Sequence, residues 1–271
     1  MMLICKTMKK IKLLLEYNGA AYHGWQVQKD AISIQGIIED GVRRITGEEA
    51  SVLGASRTDA GVHALGQVAV FRTDSMLDAE TIKRALNAVL PQDIRVLDAS
   101  AVDDSFHPRA DAIKKTYFYI VTNQRNSSVF LCRHSWLVPQ SLDLNLLTEA
   151  SRALTGRHDF SSFMGAGSDV KDFVREIYSL TVEGLDSVDF MTFPLRGNFL
   201  RISIQANGFL RHMVRNIVGT LVEIGRGRIR AEEMKNILES RDRKLAGRTA
   251  PASGLFLERI VYQDPFYSGV L

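Results

Sequence analysis

The chain has 271 residues, 45% of them hydrophobic and 24% charged, with a formal net charge of +3. Those totals fit a folded, soluble protein of one large or two ordinary domains, and no uninterrupted apolar run approaches the length needed to span a bilayer. Cys5 and Cys132 lie far apart with no neighbours at metal-ligand spacing, which reads as a reduced, cytoplasmic chain, and Met1 to Met8 lacks the order of a secretion signal.

In chain order, the pattern predicts a strand over Lys9–Tyr17 and an amphipathic helix over Ile32–Thr46 with Ser33 near its start. Strands follow over Ala50–Ala55 and Gln67–Arg72, then a helix over Asp78–Leu90 stopped by Pro91, then a strand over Ile94–Val102. The second half repeats this β-α-β-β-α-β order: a strand over Lys115–Thr122, a helix over Leu142–Gly156, and strands over Phe173–Val182 and Phe199–Gln205. A helix over Leu210–Ile224, extended by one over Ala231–Glu239, precedes a closing strand over Leu255–Tyr262. The expected class is α+β, with one unit over 9–106 and another over 107–264, divided at the turn-prone stretch around Pro108.

The densest chemistry lies between the second and third predicted strands. Arg57, Thr58, Asp59, Gly61 and His63 crowd a cation, a hydroxyl, a carboxylate and an imidazole into one turn, where plain chain reversal needs only Gly, Asn or Asp. Arg57 beside Asp59 is expected to keep that carboxylate ionised where a substrate can reach it. A second signal is charge. From Arg196 to Arg248 there are twelve Lys or Arg against five Asp or Glu, a local excess of +7 that leaves the remainder at −4. Such a segment suggests a polyanionic partner, most simply nucleic acid, although a solvated helical face gives the same run.

On a helical wheel, Leu210, Met213, Val214, Ile217, Leu221 and Ile224 share the core face, while Arg211 and Arg215 lie one turn apart on another with His212 beside them. Asn207 is the expected cap. Arginines in a first turn oppose the helix dipole, and an anion held there would offset this; pairing with acids elsewhere is the plain alternative. Tyr117 and Tyr119 share one face of their strand beside Lys114 and Lys115, a pattern that suits base stacking or, for one of them, a half-buried sheet. Tyr17, Tyr22, His23 and Trp25, with Gly19 and Gly24 between them, read as a structured loop. There is no HExxH, CxxC, P-loop or GxSxG pattern, and a carboxylate with an Arg partner can work without a cofactor.

Arg57 through Ala64 resembles the active-site motif of the A-type tRNA pseudouridine synthases. Tyr17 to Gln26, Ser105 to Arg109 followed by Tyr117, Phe209 to Gly219, and Ala250 to Leu255 resemble further motifs of that family, in order, over Ile11–Tyr262. Departures are Ser56, where glycine is frequent, and Ala252-Ser253 in place of Pro-Glu.

The resemblance implies two ferredoxin-like units forming a central, mostly antiparallel sheet with helices outside, usually in a homodimer. It implies a cofactor-free isomerase converting uridine to pseudouridine at positions 38, 39 and 40 of the tRNA anticodon arm. Asp59 is then the catalytic carboxylate. Tyr117, Arg57, Arg215 and Leu255 bind the everted nucleoside, and Arg211, His212, Arg228 and Arg230 contact RNA. Two other readings stand beside it: a non-catalytic RNA-binding protein on the same fold, and a metal-dependent phosphoesterase using Asp59 and His63.

Overall fold

Ile11, Leu13 and Leu15 recur at every second position of the first strand and are fully buried, as one face of a covered sheet requires. The computed structural model describes residues 8–167 and 170–263, so the expectations placed on Met1–Thr7, including Cys5, and on residue 264 lie outside the described residues. The chain divides into two compact units. One comprises residues 8–113 with 257–263, the other Lys114–Phe256. This differs from the 9–106 and 107–264 division in two places: the boundary falls after Ile113, and the last strand returns to the first unit.

The first unit follows the expected order: β1 (Lys9–Tyr17), α1 (Ile34–Thr46), β2 (Leu53–Gly54), β3 (His63–Thr73), α2 (Ala79–Val89) and β4 (Ile94–Val102). β1 is central and antiparallel to both β3 and β4, with Leu15 opposite Gln67. Each helix starts where a side chain supplies the missing acceptor: Ser33 Oγ takes the Gly36 N–H at 3.2 Å, and Asp78 Oδ1 takes that of Thr81 at 2.7 Å. α1 ends at Gly47 with φ of +74°, α1 and α2 pack on one another, and Ile34 and Ile38 of the first and Ile82 and Leu86 of the second are fully buried. Each such burial contributes about 1.5–3 kcal/mol. β2 is shorter than expected, and β3 starts four residues before Gln67, so the motif turn is tighter than the pattern suggests.

The second unit contains β5 (Ala112–Thr122, from Lys114 onward), β6 (Trp136–Leu137), α3 (Leu144–Arg152), β7 (Gly156–Asp159), β8 (Val174–Phe190), β9 (Phe193–Ala206), α4 (Met213–Gly225) and α5 (Glu233–Ser240). The strand order is β5-β9-β8-β7, antiparallel throughout, with β6 joined parallel to β5. β8 and β9 run far beyond the expected spans as an exposed ribbon, closing at Phe190 opposite Phe193. Water on both sides of the ribbon removes the alternation that would have marked it. The closing strand, β10 (Leu255–Tyr262), lies beside β3 in the first unit from Leu257 on. Among the described residues no helix is long and apolar enough to cross a membrane.

Candidate active site

Asp59 stands on the turn between β2 and β3, half-buried, with exposed Arg57 before it and exposed Ala60 after it. The turn is held from several sides. The Trp25 N–H donates to Thr58 O at 3.0 Å, Gly61 N–H to Tyr22 O at 3.2 Å, and Val62 N–H to Asp59 O at 3.1 Å. Gly24 has φ of +88°, and a Cβ there would sit 2.6 Å from Thr58 O; one on Gly19 would sit 1.9 Å from Val62 O. Those two glycines permit a backbone approach that no other residue allows. The aromatic loop from Tyr17 to Trp25 is therefore the bed on which the Asp59 turn lies, a role its sequence did not disclose.

His63 points inward. It is buried, and its Nδ1 accepts the Gly19 N–H at 3.2 Å, which fixes the same bed. Among the described residues no group of three or more His, Cys, Asp or Glu converges as metal ligands. Beneath the turn, Tyr17 Oη lies 2.8 Å from Thr58 Oγ1, and burial pushes the Tyr17 phenol pKa well up. Arg109, absent from the sequence-predicted site, belongs to the surface of this unit near Arg57. Partial desolvation and then the Arg57 charge hold its guanidinium below the ordinary value. Its loop is closed by His107 Nδ1, which accepts from the N–H groups of Arg109 and Ala110 at 3.2 and 3.0 Å.

In the second unit, Tyr117 and Tyr119 both face inward from β5, and both are buried. Tyr117 meets Phe209 edge-on, with ring centroids 5.1 Å apart. Tyr119 donates to Pro251 O at 2.8 Å. Burial raises its pKa, opposed by the charges of Arg215 and Arg248. A Cβ on Gly254 would lie 2.6 Å from the Tyr119 ring. Arg215 Nε donates to Ala250 O at 2.8 Å, and the Ala250 N–H returns a bond to Arg215 O at 3.0 Å. Arg215, Tyr119 and the segment from Ala250 to buried Leu255 thus form one assembly; Tyr119, weighed with Tyr117 for base stacking, was not among the expected nucleoside-binding residues.

The start of α4 departs from expectation. The helix begins at Met213, because His212 adopts a left-handed conformation with φ of +59°. Arg211 consequently precedes the first turn rather than lying in it, and its Nη1 donates to Gly167 O at 2.8 Å. Asn207 does not cap α4: its Oδ1 accepts from the Glu176 N–H at 3.0 Å and fastens β8 to the end of β9. Past α4, Arg228 meets Glu223 at 2.9 Å and Arg230 meets Glu233 at 3.1 Å, while Arg226 takes the other Glu223 oxygen at 2.9 Å. The Arg228 and Arg230 side chains are still 62% and 79% exposed, and each guanidinium has more donors than its one carboxylate uses.

Comparison with known proteins adds an independent line. Residues 14–110 and 150–263 match a family model described as tRNA pseudouridine synthase. The chain is 42% identical over 255 residues to a tRNA pseudouridine synthase A from Thermodesulfovibrio yellowstonii, covering 94% of this chain and all of that protein. It is 44% identical over 255 residues to one from Acetivibrio thermocellus, with the same coverage. A third, from Myxococcus xanthus, is 44% identical over 259 residues, covering 95% of this chain and 93% of that one.

Proposed function

This chain belongs to the tRNA pseudouridine synthase family, and from that premise we propose that it isomerises uridine to pseudouridine at positions 38, 39 and 40 of the tRNA anticodon stem-loop. The reaction breaks the N1–C1′ glycosidic bond, turns the detached uracil and joins C5 to C1′. The proton then lost from C5 is balanced by one gained at N1, so nothing is oxidised and no donor is consumed. Asp59 is the catalytic carboxylate, acting at the sugar or at the base. The observation that carries this is a half-exposed carboxylate on a turn whose backbone is fixed on both sides.

Tyr117, Arg57, Arg215 and Leu255 bind the nucleoside. The uridine must first leave the helical stack at a cost of a few kcal/mol, and Arg57, exposed beside Asp59, is suited to filling the vacated place. Arg211, His212, Arg228 and Arg230 contact the RNA, the arginines at its phosphates. The chain works in the cytoplasm as a homodimer. The exposed apolar groups at the end of the β8–β9 ribbon, with Met191 at 86% and Phe193 at 69% exposure, support a protein partner for that end.

A single-turnover assay on tRNA tests the assignment. Asp59→Asn is expected to lower pseudouridine formation by on the order of 10⁴-fold while tRNA binding persists. Substantial residual turnover would remove Asp59 from its role. A wild-type chain that binds tRNA and makes no pseudouridine would leave a binding protein on this fold.

A further inference from the structure

Gln67 is a neutral polar side chain in the middle of β3 with no exposed surface. A buried amide is costly unless its donors and acceptor are satisfied. Here the partners are all on, or lead to, the Asp59 turn. Its Nε2 donates to Ser56 O at 2.6 Å, and its Oε1 accepts the Ser56 N–H at 3.2 Å, gripping both backbone groups of one residue. The same Nε2 lies 3.4 Å from Tyr17 Oη, which is itself 2.8 Å from Thr58 Oγ1. Tyr17 and Thr58 are 4% and 6% exposed. Residues 56 and 58 are thus both fastened, Arg57 between them projects outward, and Asp59 follows directly.

We propose that Gln67 and Tyr17 are positioning residues for the reaction, a buried pair that sets the height and direction of the Asp59 carboxylate by holding Ser56 and Thr58. The proposal rests on the functional reading above. Neither side chain is assigned any contact with RNA. The geometry favours positioning over plain core packing because an apolar residue of the same shape would fill either site equally well, whereas three polar contacts reach the turn and a fourth joins Gln67 to Tyr17. The bonds are neutral and shielded, so the device is insensitive to salt, unlike a surface ion pair.

The test is steady-state kinetics of pseudouridine formation, with tRNA affinity measured separately, on Tyr17→Phe, Gln67→Leu and the double variant. Ile82→Val serves as a control that loosens the same unit's core without touching the turn. Each single variant is expected to lose on the order of 10- to 100-fold in kcat, with KM and tRNA affinity within about twofold of wild type. The double variant should lose little more than Gln67→Leu alone, because both act through one turn. Ile82→Val should keep its kcat whatever its melting temperature. Tyr17→Phe removes a single hydroxyl and keeps the ring, so it reports even if Gln67→Leu fails to fold. Wild-type kcat in Tyr17→Phe, or a loss matched by Ile82→Val at equal melting temperature, overturns the proposal. If the wild-type chain forms no pseudouridine, the functional reading fails and the positioning role goes with it; if wild type is active and Asp59→Asn is not, failure of these variants concerns positioning alone.

Discussion

The Asp59 turn and the Arg226–Arg230 segment are both polar and both chemically loaded, yet they are held in opposite ways. The turn is fixed by neutral bonds from buried partners: Tyr17 to Thr58, Gln67 to Ser56, and the Trp25 N–H to Thr58 O. Past the buried Arg226–Glu223 pair, whose side chains are 9% and 11% exposed, the segment is tied by charge at its surface, with Arg228 reaching Glu223 and Arg230 paired with Glu233, and those two guanidiniums lie mostly in water. Breaking a buried bond leaves a polar group without water, which is costly. An exposed ion pair contributes little and weakens with salt, so its cation can exchange one anion for another. A carboxylate that must meet one atom needs the first arrangement. A surface that follows a flexible polyanion is served by the second.

The sharpest way to break this contrast is through the glycines. Gly24 and Gly47 share the left-handed backbone, with φ of +88° and +74°, so alanine costs about 1–2 kcal/mol at either from strain alone. At Gly24 the new Cβ would also sit 2.6 Å from Thr58 O, whereas at Gly47 nothing lies within 4 Å. Gly24→Ala should therefore lower kcat by on the order of 10²-fold as well as the melting temperature. Gly47→Ala should lower only the melting temperature. Equal kcat in the two variants would show that the turn tolerates displacement, and the distinction between fixed and yielding regions would fail.

A smaller effect is expected at Tyr119. Its hydroxyl reaches Pro251 O at 2.8 Å and ties β5 to the segment carrying Leu255. Tyr119→Phe deletes that bond and leaves the carbonyl of Pro251 to find another partner, at about 1 kcal/mol in denaturant unfolding. The loss of kcat should be a few-fold, well below that of Gly24→Ala. A loss as large would make Tyr119 part of the same kind of rigid support as Gln67.

Much of this was legible in the sequence, for identifiable reasons. Ser33 and Asp78 announce their helices because a cap is a local event, and the Arg57–His63 cluster stands out because turns do not otherwise gather such groups. Gln67 was hidden because a polar residue in a strand ordinarily faces water, and only the third dimension brings Ser56 beneath it. Tyr119 was hidden by its likeness to Tyr117, since position on a strand face does not disclose what a hydroxyl will reach. The start of α4 was misplaced because Leu210 keeps helical phase with Met213 and Val214, and nothing in a wheel registers the left-handed turn at His212. The acid partners of Arg228 and Arg230, three to five residues away, were in view, but helical spacing does not say which cations remain in water.

The least disruptive changes test the yielding half of the contrast. Arg228→Ala and Arg230→Ala should each leave kcat unchanged at saturating tRNA, while the slope of log affinity against log salt becomes shallower by about one unit per side chain. An unchanged slope would mean that these guanidiniums stay with Glu223 and Glu233 when RNA is bound. Glu233→Gln sharpens the point from the other side. It removes the carboxylate that competes for Arg230 while keeping its shape and the possibility of a neutral bond. If an incoming phosphate must displace that carboxylate, the variant binds tRNA more tightly at low salt, and the gain fades as salt rises. The gain should vanish in the Glu233→Gln, Arg230→Ala double variant, because no cation is left there to be released. A gain that persists without Arg230 would instead reflect relief of general repulsion between an acidic surface and RNA, and Arg230 would drop out of the phosphate path.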